Sequence, residues 1–285
     1  MPEETFNIKS GKIPKMGETP DAESRETEQI ANAMEESLKA ARILEIVAAQ
    51  SEQIEYLTFG GGGAKGTAYS GVYSALCEAK IMEGVAAITG SSAGAITAAI
   101  IATGIDPINF DKLLKNTDLS LLPGKGMLIN KDGNPLYELI AENVAINISR
   151  YFKSKDKDIS RLLLERNEII IEELKGLEIE IASKNEEIST TDRELPKFES
   201  LSTELNKLEK RQYLLIKSKD TLGEKGHNLK DIINKANLGG EITFGDLGLL
   251  NALDPYTFKN LVITAVRRDN GQLTIFNPED TPNVE

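Results

Sequence analysis

Residues 60–66 read Gly60-Gly61-Gly62-Gly63-Ala64-Lys65-Gly66, and residues 90–94 read Gly90-Ser91-Ser92-Ala93-Gly94. Each turn follows a short β-prone run, Tyr56-Leu57-Thr58-Phe59 before the first and Val85-Ala86-Ala87-Ile88-Thr89 before the second. Each opens into a helix-like run. Residues 69–79 place Val72, Leu76 and Ala79 on one side, and residues 93–103 are almost wholly apolar and end at Gly104. Strand, crossover helix, strand, helix is the order of a parallel α/β sheet. The expected fold is therefore α/β, a mainly parallel sheet flanked by helices.

The second turn has the G-x-S-x-G form that presents a serine as an exposed nucleophile. Gly90 and Gly94 flank Ser92 because the backbone comes so close in such a turn that Cβ atoms would collide. Ser92 then begins a helix, where the positive end of the dipole favours a developing alkoxide. Ser91 lies one place off the motif. The first turn has three readings. As G-x-G-x-x-G over Gly61, Gly63 and Gly66 it could hold a dinucleotide pyrophosphate, with Glu83 as the one candidate for the acidic partner. As a Walker loop it fails, because Gly66 follows Lys65 where Ser or Thr is needed. As an oxyanion hole it needs only bare backbone N–H groups, which the glycines supply. The two turns together point to acyl transfer.

A serine nucleophile needs a base. The chain has one histidine, His227, in the polar turn Gly223-Glu224-Lys225-Gly226-His227-Asn228, a segment without an apolar anchor. That disfavours a Ser-His-Asp triad and makes a serine–carboxylate dyad the natural reading. The single cysteine, Cys77, excludes an internal disulfide and reads as a core residue.

The formal net charge of −12 over 285 residues argues against nucleic-acid binding and against indiscriminate adsorption to anionic membranes. No stretch reaches the roughly eighteen apolar residues of a membrane span. Met1-Pro2-Glu3-Glu4 lacks the basic and apolar regions of a secretory signal. The pattern divides the chain into a flexible arm over 1–26, a first part of the α/β domain over 27–157, an insertion over 158–222 and a second part over 223–285. Within the first part, a helix is expected over 26–50, with Ile30, Met34, Leu38, Ala41 and Leu44 as its stripe. Another is expected over 136–152. The insertion carries Leu163, Ile170, Leu174, Leu177, Ile181 and Ile188, then, after Pro196, Phe198, Leu201, Leu205, Leu208 and Leu215. Charges fill the gaps, so two long helices in an antiparallel hairpin are expected. After it, Ile242-Thr243-Phe244 reads as a return to the sheet before a helix over 245–253. A strand over 261–266 and a second over 273–276 are joined through Asp269-Asn270-Gly271.

These residues resemble the patatin-like phospholipase family. The resemblance rests on residues 61–66 followed by residues 90–94. The polar excursion, Ile242-Thr243-Phe244-Gly245-Asp246-Leu247 and the strand over 261–266 are similar to the bacterial secreted effector branch. The resemblance covers about residues 54–284. It implies an α/β sheet with no metal requirement or cofactor, and phospholipase A-type hydrolysis of membrane phospholipid by a Ser/Asp dyad. It implies Ser92 as nucleophile and Gly61, Gly62, Gly63 and Ala64 as oxyanion-hole amides, with Lys65 where the family has a basic residue. It also implies delivery by a specialised secretion system into the host cytosol, action peripheral to membranes, and activation by a host protein. The family's aspartate stands in an Asp-Gly-Gly or Asp-Gly-Ala motif, which this sequence lacks. The one Asp-Gly pair, Asp132-Gly133, continues with Asn134 and reads as a turn. The aspartate then lies beyond residue 285, or comes from another chain, or the polypeptide is inactive as it stands. A non-catalytic module that captures a partner through the helical insertion is the alternative. Lys112, Lys115, Lys125, Lys131, Arg150, Lys153, Lys155 and Lys157 make residues 105–157 a candidate membrane-facing surface.

Overall fold

The computed structural model describes residues 54–117, 134–155, 158–266 and 271–284. The arm over 1–26, the helix over 26–50 and the turn containing Asp132 lie outside the described residues. So do Lys125, Lys131, Lys157 and the Asp269-Asn270 pair. Four strands form one sheet in the order β1 (Tyr56–Phe59), β2 (Ala87–Gly90), β3 (Asn260–Val266), β4 (Leu273–Phe276). The first three are parallel, with Phe59 and Ile263 both level with Gly90, and β4 returns antiparallel, with Val266 opposite Leu273. The sheet is mixed, small and open, and helices dominate the rest.

A 3-10 turn (Gly63–Ala68), α1 (Tyr69–Glu78) and the short α2 (Ile81–Gly84) link β1 to β2. α3 (Ala93–Ala102) follows β2, then come α4 (Pro107–Asn116) and α5 (Asn134–Lys155). The insertion is a hairpin of α6 (Ile159–Thr190) and α7 (Pro196–Lys225). At 1.5 Å per residue the 32 residues of α6 span about 48 Å. Leu162, Ile170 and Leu177 of α6 and Leu201, Leu215 and Leu222 of α7 are buried. The Lys184–Glu204 and Arg211–Glu173 ion pairs bridge the two helices. α8 (Leu229–Leu238) and α9 (Phe244–Leu253) lead back to β3.

Alternation along each strand sends neighbouring side chains to opposite faces. Phe59, Ile88 and Leu261 share one face and are buried there. α3 covers this face: it lies against β1, β2 and β3, and its Ile100 and Ile101 are fully buried. α9 joins it through Phe244, whose ring stacks on Phe276 at 6.2 Å. The other face carries Tyr56, Thr58, Val266, Leu273 and Ile275, all exposed. Sheet topology explains the asymmetry. The chain steps twice in the same direction, from β1 to β2 and from β2 to β3, and right-handed crossovers then put both sets of helices on one face.

One expectation is corrected. Residues 242–244 form no strand: Thr243 N-caps α9, its hydroxyl accepting from the Asp246 N–H while the Asp246 carboxylate accepts from the Thr243 N–H. Directly after the turn over 223–228, α8 buries Leu229 and Ile232 and lies against α5. Among the described residues of the candidate basic surface over 105–157, Lys115 pairs with Asp111, Lys155 with Asp254, and Arg150 donates to Asn147.

Candidate active site

Ser92 stands just past the C-terminal end of β2, which is flanked on both sides by parallel strands. Ligand sites of open α/β sheets lie at this end of the strands. Ser92 is the N-cap of α3 with φ 52° and ψ −126°. A side-chain-bearing residue held there stores of order 1–3 kcal/mol of backbone strain. The turn fixes it by short local bonds: Gly94 N–H donates to the Ser91 carbonyl at 3.0 Å and Ala95 N–H to the Ser92 carbonyl at 2.8 Å.

One close approach closes this turn on itself and a second holds it against β1. A Cβ on Gly90 would lie 2.2 Å from the Gly94 carbonyl oxygen, and a Cβ on Gly94 would lie 2.0 Å from the Phe59 carbonyl oxygen. Neither position tolerates a side chain while the backbone stays where it is. The side chain of Ser92 is exposed, that of Ser91 half-buried, and the Ser92 hydroxyl makes no capping bond.

The first glycine turn comes to the same place. A Cβ built on Gly61 would sit 3.4 Å from the Ser92 Cβ, and one on Gly66 would sit 3.3 Å from the Ala93 Cβ. Gly61 and Gly62 are exposed loop residues; Gly63, at φ 55°, opens the 3-10 turn that carries the backbones of Ala64 and Lys65. Exposed glycine backbone and the first turn of α3 thus border the Ser92 hydroxyl. Such amides can stabilise an oxyanion formed by attack of that hydroxyl on a carbonyl.

Two contributors were not evident from the motifs. The Tyr69 hydroxyl reaches back to the Gly60 carbonyl, and the Thr264 hydroxyl of β3 lies 3.5 Å from the Gly90 carbonyl oxygen. The aromatic pair Phe59–Tyr69, with centroids 5.1 Å apart, was the available signal for the first. His227 is exposed in the 3-10 turn joining α7 to α8, where Gly226 abuts Leu163. Cys77 is half-buried, and burial pushes its thiol up despite the neighbouring Tyr73 hydroxyl. Lys259, whose amine is pushed down by burial and donates to the Pro255 carbonyl at 3.0 Å, precedes β3 and so lies at the opposite end of the sheet from Ser92. Among the described residues no group of His, Cys, Asp and Glu is arranged to hold a metal ion.

The open α/β sheet thus carries a strained serine between its central strand and a buried helix, with a glycine turn beside it. Residues 57–285 match the family described as patatin-like phospholipase, and the chain belongs to that family of lipid hydrolases. No curated protein matches it in sequence. Among solved structures it is similar to the type III effector protein ExoU, at 23% identity over 81% of this chain and 37% of that one, with a TM-score of 0.46. It is similar to VipD from Legionella pneumophila at 22% identity, over 81% of this chain and 40% of that one, with a TM-score of 0.49. Full-length ExoU in complex with full-length SpcU, from the type III secretion system of Pseudomonas aeruginosa, matches at 27% identity over 81% of this chain and 36% of that one, with a TM-score of 0.42. The chain thus spans well under half the length of these proteins. Among the described residues no helix is long and apolar enough to cross a membrane.

Proposed function

We propose that this chain carries the nucleophile and oxyanion hole of a phospholipase A-type lipid acyl hydrolase. The observation that supports this most directly is the approach of Gly61 to Ser92, 3.4 Å from a built Cβ. Ser92 attacks the ester carbonyl and gives up its proton to a base. The amides of Gly61, Gly62, Gly63 and Ala64 receive the oxyanion, and Lys65 stands beside them in sequence. Collapse expels the lysophospholipid alcohol, which takes the proton. Water then attacks the acyl-serine with the same base and releases the fatty acid. We assign the base to an aspartate of an Asp-Gly-Gly or Asp-Gly-Ala motif, which residues 1–285 do not contain. By its sequence resemblance to the effector branch, the protein acts in a host cytosol, peripheral to membranes, after secretion and activation by a host protein.

The test is fatty-acid release from phosphatidylcholine vesicles. It uses protein extended through the next Asp-Gly-Gly or Asp-Gly-Ala in its reading frame, with host-cell extract as activator. Ser92→Ala is expected to lower release by about a thousandfold or more. Release unchanged in that variant overturns the reading.

A second reading, a partner-binding module, draws support from the hairpin. Ile179 is 72% and Tyr213 63% exposed on its helices. It predicts partner capture that survives Ser92→Ala and is lost when the hairpin is removed.

A further inference from the structure

Ser91, one place off the nucleophile motif, has no role in the chemistry above. Its backbone is held from both sides. The Ser91 N–H donates to the Phe59 carbonyl at 3.3 Å, one residue past the last paired positions of β1 and β2, and the Ser91 carbonyl accepts from the Gly94 N–H at 3.0 Å. The side chain is half-buried. A Cβ built on Gly61 would lie 3.5 Å from the Ser91 Oγ and 3.4 Å from the Ser92 Cβ. Both serines thus flank one glycine of the turn, and the Ser91 hydroxyl lies against the backbone that borders the nucleophile. A methyl group at position 61 would touch that oxygen, so the glycine leaves it open. Among the described residues the Ser91 hydroxyl has no hydrogen-bond partner. A part-buried polar group without a partner, in a site built for polar chemistry, is a candidate for that chemistry.

We infer that the Ser91 hydroxyl is a further oxyanion-hole donor, bonding the ester's carbonyl oxygen as Ser92 attacks. The inference rests on the lipid-hydrolase reading above. Side-chain hydroxyls join backbone amides in such holes, and they work best when nothing has to reorganise during the reaction. Ser91 meets that condition, because its two backbone bonds leave only rotation of the hydroxyl. It also stands beside Gly61, whose amide is one of the assigned donors. A second nucleophile is the poorer reading of Ser91: the strained backbone belongs to Ser92, at φ 52°, and Ser92 is the residue that N-caps α3. Hydrogen bonds to an oxyanion are charge-assisted and strengthen as charge develops, so the contribution of Ser91 falls on the chemical step and not on substrate capture.

The experiment is fatty-acid release from phosphatidylcholine vesicles by the extended protein with host-cell extract, on wild type, Ser91→Ala, Ser91→Thr and Ser92→Ala. Ser91→Ala is expected to lower kcat by about a hundredfold, with KM and melting temperature unchanged. Ser91→Thr keeps the hydroxyl and is expected to recover most of that loss. A second measurement is the rate at which a fluorophosphonate labels Ser92. There the Ser92 Oγ displaces fluoride, the base takes the proton, and the phosphoryl oxygen carries the developing charge. Labelling is expected to slow in Ser91→Ala by a similar factor. An unchanged kcat and labelling rate in Ser91→Ala overturn the inference. So does a KM that rises while kcat holds, which marks ground-state binding, and so does a Ser91→Thr as slow as Ser91→Ala. Failure of the hydrolase reading is a separate result: release by Ser92→Ala equal to wild type, or a wild type inert to both vesicle and label, overturns that reading and this inference with it.

Discussion

The Tyr69 hydroxyl donates to the Gly60 carbonyl at 2.5 Å, tying the first helix after β1 back to the start of the glycine turn. The ring is fixed independently, edge-on to Phe59. Tyr69 touches no reacting atom in the proposed chemistry; it positions the backbone that supplies the oxyanion amides. Tyr69→Phe keeps the ring contact and removes one hydrogen bond, worth about 0.5–1.5 kcal/mol. The expected result is a roughly three- to tenfold fall in kcat for phospholipid hydrolysis, with KM and melting temperature little changed. A purely structural role would lower the melting temperature and leave kcat intact.

The 2.0 Å approach of a Gly94 Cβ to the Phe59 carbonyl oxygen meets backbone that cannot rotate aside. Gly94→Ala must therefore separate α3 from β1. Overpacking of this kind costs about 1–3 kcal/mol, and the rigid neighbour argues for the upper end. A domain of this size then melts about 6–12 °C lower. Thermal unfolding followed by circular dichroism measures it, and a shift under about 2 °C, the low end for a 1 kcal/mol change, contradicts the geometry.

Arg166 is buried on α6, and its Nε donates to the Ala252 carbonyl of α9 at 3.1 Å. This bond fastens the base of the hairpin to a helix of the sheet layer. Arg166→Ala leaves that carbonyl without its partner and removes the buried stem of the side chain. A loss of about 1–3 kcal/mol in urea unfolding is expected. Hydrogen exchange is expected to rise at the base of α6 more than near its tip.

Alkaline pH should weaken the fold through two tyrosines. Burial raises the phenol of Tyr73, which donates to the Ile105 carbonyl at 2.6 Å. Burial, and then the Asp254 carboxylate, raise that of Tyr151. Both stay protonated in the folded chain after an unfolded tyrosine, at about pH 10, has ionised. Their stabilising contribution is complete below that pH and is lost as pH rises toward the folded values. The unfolding free energy should fall by up to about 1.4 kcal/mol per pH unit for each group above about pH 10. Urea midpoints from about pH 9 to about pH 11 measure the slope, and Tyr73→Phe should reduce it.

What the sequence made legible was short-range. The strand-turn-helix units around residues 60–66 and 90–94 carry their own punctuation, and so does the hairpin, whose apolar stripe repeats over two long runs. The nearness of Gly61 to Ser92 followed only from pairing β1 with β2 in register, which no local pattern encodes. α4 had a readable start in Asp106-Pro107, where the Asp106 carboxylate accepts from Asn109 N–H at 2.9 Å, but its short, mixed sequence hid it. Thr243 to Asp246 is a capping-box spacing, and β-prone Ile242 and Phe244 outweighed it. The more exposed face of the sheet was beyond reach, because exposure there depends on which side two crossovers take.

The central pairing of the sheet joins residues 87–90 to residues 260–263, so the nucleophile strand acquires its second neighbour only across most of the chain. In time, this orders assembly. The hairpin, made of local contacts, can form in microseconds to milliseconds, while β2 and β3 must wait for a closure over a very long loop. That closure grows only logarithmically harder with length. Two helices of 32 and 30 residues could therefore enter the loop at little thermodynamic expense to the sheet. The penalty falls on folding speed, during which β2 and the apolar run of α3 stay without the strand that later lines them.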